Sequence, residues 1–359
     1  RMNASQPTPG HGQVLTVLGV VDTTDMGITL PHEHLFNDLS GVVAEPSFEF
    51  SRRSLVNAPV RPNLQWALRH DPYCCADNVS HKPVANVVKE LEKFAELSGR
   101  TIVDATGSRS IGRNPERLKQ TAEATGMNVV MSTAPYLEKF EAEKVTARTI
   151  DEITKEIVTD LTEGVEGSGI RAGMIGEVGV SPSFTAAERK ALTAAAQAQT
   201  DQPWTGLNIH MPGWQRRGDE VLDIVLNEVG VEPTKVSLAH SDPSGKDIEY
   251  QRRLLDRGIF LEFDMIGLDI SFPGEGVSPS PAETADAVAG LIEHGYGSQI
   301  LLSHDLFLKQ MWTQMGGNGF TLVPGPFLDM LKDRGVSDEQ AHSLVTTNPQ
   351  NYLSSHVAA

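Results

Sequence analysis

Eight short apolar runs, each followed by a stretch with helical spacing, constrain this chain more than any other feature. The runs are Ile28 to His34, Arg100 to Ala105, Asn128 to Thr133, Ala172 to Val178, Trp204 to His210, Val236 to His240, Ile259 to Asp264 and Gln299 to Ser303. Helical spacing is found over Val84 to Leu97, over Pro115 to Thr125, and near 148–163, 185–199, 215–229, 246–256, 283–294 and 337–346. Strands that are apolar on both faces belong in a sheet covered on both sides, and this alternation without a composition break predicts an α/β fold, a closed TIM (β/α)8 barrel spanning residues 1–359 as a single domain. An open doubly wound sheet is the competing architecture. No Gly-rich phosphate loop follows the first strand, and the polar residues cluster at five separate strand ends, which disfavours it. A short N-terminal β-hairpin at 13–25 precedes the barrel. Residues 40–80, rich in Pro, Arg and Asn, read as a long irregular insertion after strand 1, a placement that is usually functional or disordered.

The strand ends carry the chemistry. His32 and His34, in Pro31-His32-Glu33-His34, lie two apart on a strand, so both imidazoles face one side and can reach one metal ion. Glu177 in Gly176-Glu177-Val178-Gly179, His210 after Leu207-Asn208-Ile209, His240 in His240-Ser241-Asp242, and Asp305 after Ser303-His304 occupy the corresponding ends of later strands. Taken singly, each could be a satisfied core group or an ion-pair member. Six such groups in order at the end of a barrel where functional side chains gather are not explained by packing. His11, His70, His81, His294 and His342 read as surface or helix residues, and His304, which should point away from Asp305, as either a support behind the ligands or a core residue rather than a ligand.

Thirty basic against 47 acidic residues give a formal charge of -17, which disfavours nucleic acid and anionic membrane surfaces as partners. No apolar stretch approaches the roughly 20 residues of a membrane span, and the start, Arg1 to Gly12, lacks the hydrophobic core of a signal peptide. A cytoplasmic location is the expectation. The two cysteines, Cys74 and Cys75, are adjacent and read as reduced thiols that set no disulfide framework.

The ordered set from the His32-x-His34 pair to Asp305 resembles the phosphotriesterase family of metal-dependent amidohydrolases, over nearly the whole chain from the hairpin to Asn348-Pro349. The resemblance implies two divalent ions, with His32, His34 and Asp305 at the more buried one and His210 and His240 at the more exposed one. Residue 177 would bridge them together with a hydroxide, and Asp305 would be the catalytic proton acceptor. Phosphotriesterases proper use a carboxylated lysine at the bridge, where this chain has Glu177. They carry a histidine on the seventh strand, where this chain has Met265. Both departures shift the expectation from phosphotriesters to a lactone, carboxylic ester or amide. A phosphotriesterase and a non-catalytic metal- or ligand-binding barrel are the alternatives.

Imidazole and carboxylate donors suit Zn first, with Mn, Co or Fe as alternatives. Asp242 and Asp264 are expected to support the ligands from behind. Loops carrying Tyr73, Tyr136, Trp214, Phe272 and Trp312 are expected to line the substrate pocket, favouring a small uncharged or weakly polar substrate. Lys309 and Arg113 are the nearest candidates for an anion clamp. A homodimer is the further association considered.

Overall fold

The structure, a computed structural model, describes residues 7–358, with the side chains of 142–144 excepted. Residues 1–6 of the polar start fall outside the described residues. Strands β1 (Gln13–Thr16) and β2 (Gly19–Asp22) pair antiparallel as the hairpin. The barrel strands are β3 (Ile28–Glu33), β4 (Gly99–Asp104), β5 (Asn128–Thr133), β6 (Met174–Gly179), β7 (Gly206–His210), β8 (Val236–Leu238) and β9 (Phe260–Phe263). After the two-residue strands β10 (Ser271–Phe272) and β11 (Gly276–Val277), which form an antiparallel ribbon, β12 (Ile300–Leu302) completes the eight. The eight pair in parallel in sequence order. The seam between first and last is closed by the Asp305 N–H donating to the His32 carbonyl at 3.2 Å and the His34 N–H to the Leu306 carbonyl at 3.1 Å.

Alternation along each strand sorts its side chains into two apolar layers. Ile102, Val129, Met131, Leu207, Ile209, Ile300 and Leu302 belong to the large core that includes the helices. Their neighbours Val103, Val130 and Leu301 join Met174 and Phe260 in a separate interior cluster with Val14 and Met26 from the N-terminal segment and Tyr352 and Leu353 from the last helix. Helix starts fall where short polar residues can cap. Thr149 with Glu152, Thr185 with Glu188, Ser280 with Glu283 and Ser337 with Gln340 each form a reciprocal capping box.

Four elements differ from the sequence reading. The helix Glu138–Thr146 was not expected, because its run of Glu and Lys carries almost no apolar stripe. The 215–229 helix is shorter at its start, and its second half, Asp223–Val229, is wound as a π-helix. A last helix, Thr347–Leu353, follows the predicted closing one. Residues 40–80 are not irregular: Glu49–Ser54, Gln65–Leu68 and Ala76–Val79 are short helices around a small core of Leu55, Val60, Ala67, Leu68, Cys74 and Cys75. Both thiols are free and buried, and burial pushes that of Cys74 up to about 12. No helix among the described residues is long and apolar enough to cross a membrane.

Candidate metal centre

The strand ends converge. His32 and His34 share a face by alternation, beside a register irregularity between Leu30 and Glu33, and a second irregularity between Ile175 and Val178 spans Glu177. A Cβ on Gly107 would lie 1.9 Å from the Gly176 carbonyl oxygen, so the loop after β4 packs against the Glu177 strand only because residue 107 has no side chain. His240 and Asp305 sit in the left-handed region at φ 60° and 51°. Such positions cost a non-glycine residue roughly 1 kcal/mol or more and persist where surrounding bonds over-determine them. The His240 N–H is held by both Asp264 oxygens at 3.0 and 3.1 Å.

Glu177 faces two ways. Its Oε2 lies 3.4 Å from both His32 Nε2 and His34 Nε2. Its Oε1 lies 2.6 Å from His210 Nδ1 and 2.9 Å from His240 Nε2, and those two nitrogens are 2.8 Å apart. Asp305 Oδ1 joins the first set, 3.3 Å from His32 Nε2 and 3.0 Å from His34 Nε2, while Oδ2 lies 3.9 Å from His240 Nδ1. All six sequence candidates therefore meet in one buried cluster. Triplets within it (His32, His34, Glu177; Glu177, His210, His240; His32, His240, Asp305) each bring donor atoms within 4.8 Å of one another.

Three of the four imidazoles are held from behind through the opposite ring nitrogen. His34 Nδ1 is 2.7 Å from Thr106 Oγ1 and His240 Nδ1 is 2.8 Å from Asp264 Oδ1. His32 Nδ1 lies 2.7 Å from Glu262 Oε1, an ion-pair distance outside hydrogen-bond alignment, and Glu262 is fixed by the Asn208 amide at 3.0 Å. Sequence reasoning missed Glu262, although it shares a face with Asp264 by simple alternation along β9. His210 is touched by Tyr136, whose hydroxyl is 3.4 Å from Nδ1.

The donor set fits a divalent ion. His32 Nε2 and Asp305 Oδ1 are buried without a hydrogen-bond partner, an arrangement that is costly unless a cation takes both. The electrostatics agree. Burial alone would lower the His34 pKa, but the Asp305 and Glu177 carboxylates raise it to about 9. His32 and His240 are likewise raised against burial, His32 by Glu177 and Asp264, His240 by Asp264 and Glu177. His210 is lowered by burial and by His240 beside it. A field that draws protons onto three imidazoles is the field that draws metal cations.

Asp264 lies against His240 and His32, and Asp242 faces other groups. No hydrogen bond or ion pair joins the Asp242 carboxylate to His240 among the described residues; it accepts the Met265 N–H at 3.1 Å and the Thr284 hydroxyl at 3.0 Å, and burial, with Asp264 close by, pushes it up to about 7. His304 is a core residue, with Nε2 accepting the Val323 N–H at 2.9 Å. Glu33, also missed, accepts the Ser303 hydroxyl and the His304 and Leu306 N–H groups, fixing the backbone on both sides of Asp305. Lys309 is engaged by Asp77 and Ser80, and Arg113 by the Gly107 carbonyl and Asp160. Neither is left for a substrate anion.

Of the pocket candidates, Tyr73, Phe272 and Trp214 form one wall, with ring centroids 6.3 Å and 5.3 Å apart in turn. Tyr136 stands edge-on to His210 at 5.1 Å. Trp312 is 2% exposed within the hydrophobic core and makes none of these ring contacts, so it anchors its loop instead. Phe307, which the sequence reading passed over, links the wall to the centre: it is 6.1 Å from Tyr73 and 6.4 Å from His34.

A (β/α)8 barrel with histidines and carboxylates converging at the carboxyl ends of its strands defines the class of metal-dependent barrel enzymes. The model of the phosphotriesterase family matches residues 12–353, and the chain belongs to that family. It is 40% identical to a resiniferatoxin-binding protein from Rhodobacter sphaeroides, with a TM-score of 0.91 over 99% of this chain and 100% of that one. It is 32% identical to the N-acetyltaurine hydrolase of Danio rerio, over 96% of this chain and 98% of the relative. A lactonase of the same type from Deinococcus radiodurans, solved as a multiple mutant, is 26% identical at a TM-score of 0.72, covering 95% and 99% of the two chains.

Proposed function

We propose that this chain is a binuclear metal-dependent hydrolase of carboxylic acid derivatives: a lactone, a carboxylic ester or an amide. The observation that carries the reading is the division of Glu177, with one oxygen toward His32 and His34 and the other toward His210 and His240. His32, His34 and Asp305 would hold one ion, His210 and His240 the other, with Glu177 shared. Two such ions, Zn by the donor chemistry, supply Lewis acidity toward a substrate carbonyl and lower the pKa of water toward neutrality.

The protein's own groups do the rest. Asp305 meets the His32 and His34 nitrogens through Oδ1, which leaves Oδ2 to take the proton of the attacking water and return it to the leaving group. Asp264 and Thr106 fix the His240 and His34 rings, and the aromatic wall excludes water from one side of the centre. A carbonyl substrate is favoured over a phosphotriester because Met265, at 3% exposure, stands where phosphotriesterases proper carry the histidine of a proton relay, and Glu177 stands where they carry a carboxylated lysine. The relatives supply bond types: an amide in N-acetyltaurine hydrolase and a lactone in the Deinococcus protein.

Elemental analysis of gently purified protein should approach two transition metals per chain, and reconstituted protein should hydrolyse members of a panel of lactones, esters and amides faster than an aryl dialkyl phosphate. Glu177→Gln should lose metal and turnover together. Full activity after complete metal removal would overturn the reading.

A further inference from the structure

Tyr73 stands apart from the other groups at the mouth of the centre. Its ring lies nearly parallel to that of Phe307, at an interplanar angle of 20°, and Phe307 stands edge-on to His34. Through Phe272 the same wall continues outward to Trp214. A line of packed rings thus runs from an imidazole of the metal centre to the outer loops, with Tyr73 in the middle.

The Tyr73 hydroxyl has no hydrogen-bond partner among the described residues, although the side chain is half-buried. Burial, then the Asp305 and Glu275 carboxylates, raise its pKa, so the phenol stays protonated and can only gain by donating. Tyr136 lies on the other side of the centre, and its own ionisation is opposed by Glu177, Asp305 and Tyr73. Asp305 is the carboxylate that acts on both phenols. The hydroxyl of Tyr73 is not among the polar atoms shut off from water, so a ligand oxygen that displaces its hydration finds a donor free of any partner among the described residues.

The mount is rigid. The Tyr73 carbonyl accepts the Ala44 N–H at 3.0 Å, the Pro72 carbonyl accepts the Asn78 amide at 3.0 Å, and the buried Asp71 carboxylate accepts the Ser47 N–H at 2.9 Å. Asn78 is tied to Gln310, beyond β12, by bonds of 2.7 and 2.9 Å. The insertion is thereby fastened to the strand end that carries Asp305, which sets the phenol in position before any substrate binds.

We propose that Tyr73 is a specificity residue whose O–H donates to an oxygen of the scissile carboxyl group, in substrates whose aromatic or bulky apolar body lies along Phe272 and Trp214. The inference rests on the hydrolase reading and narrows it to esters and amides with a large apolar acyl group, acetyl substrates leaving the wall unused.

Tyr73→Phe keeps the ring contacts and removes only the hydroxyl. On metal-loaded protein, kcat/KM for a phenylacetyl ester should fall about tenfold and the Kd of phenylacetate, measured calorimetrically, should weaken by a similar factor, the scale of one hydrogen bond to a charged or charge-developing oxygen. Metal content and melting temperature should match wild type. Both constants within twofold of wild type would overturn the proposal. So would a loss of metal in the variant, because the hydroxyl would then be supporting the centre. If the wild-type protein hydrolyses nothing in the panel, the hydrolase reading fails on its own, and the phenylacetate Kd alone decides the role of Tyr73.

Discussion

Replacing Asp264 by alanine would separate the ligands from what holds them. Asp264 accepts the His240 N–H at 3.0 and 3.1 Å and contacts Nδ1 of the same residue at 2.8 Å, and one oxygen lies 3.5 Å from His32 Nδ1. Asp264→Ala removes no proposed ligand, yet it releases the His240 ring and the backbone bond that helps hold residue 240 at φ 60°. Loss of a partner behind a metal-ligating histidine typically weakens metal binding by about 10–100-fold, or ~1.4–2.8 kcal/mol. Two charge-assisted hydrogen bonds would add roughly 3–6 kcal/mol of lost fold stability. That second cost is partly offset, because Asp264 crowds the buried Asp242, and removing it relieves repulsion between like charges. Both metal affinity and fold stability should therefore fall, and the two losses are read separately. Competition with a chromophoric chelator at graded free zinc measures the first, and thermal melting of the metal-free protein measures the second. Wild-type zinc affinity in an Asp264→Ala protein that melts normally would refute the argument that this carboxylate orients His240.

Asp305→Asn, nearly isosteric, should lower kcat by about 100-fold or more through loss of the proton acceptor and part of one ligand set, while affinity for a non-hydrolysable analogue changes far less; wild-type kcat with metals bound would place the acceptor elsewhere. Metal loading should release protons. The free site holds the His34 pKa at about 9, so below that pH the imidazole is charged and must give up its proton to bind an ion, and uptake in weak buffer at pH 7 should liberate at least one proton per chain, with His34's contribution fading above pH 9. Loading at pH 7 with no proton release would contradict this account of the field around the cluster.

The barrel and the convergence of the candidate side chains were legible because both follow from short-range rules. Alternation fixes which strand residues face inward, and parallel order places the strand ends side by side, so His32, His34, Glu177, His210, His240 and Asp305 could be read from linear order alone. Glu262 obeyed the same rule and was simply passed over. Asp242 shows where proximity in sequence misleads: it lies two residues from His240, but the partner of His240 is Asp264, 24 residues away at the end of the adjacent strand. Tyr73 was legible as an aromatic residue on a loop, but its neighbours were not. Its stacking on Phe307 depends on how 40–80 folds, and that segment is organised by a small core and by bonds such as Asn78 to Gln310. Trp312 carried the same sequence signal as Trp214 and went into the core.

The seam of the barrel has a consequence for how the protein is made. His32 and Asp305 are joined through the backbone bond that links the first strand to the last, so the candidate metal cluster lacks Asp305 until the eighth strand has been synthesised and docked. Contacts between such distant parts of a chain form late, after the entropy of closing the long intervening loop has been overcome. A nascent chain up to β9 would expose His32, His34, Glu177, His210 and His240 without the closing aspartate, a set able to capture ions in the wrong geometry. Refolding in excess zinc should thus be slower or less complete than refolding first and adding zinc afterwards, and the order of addition becomes a variable in preparing active protein.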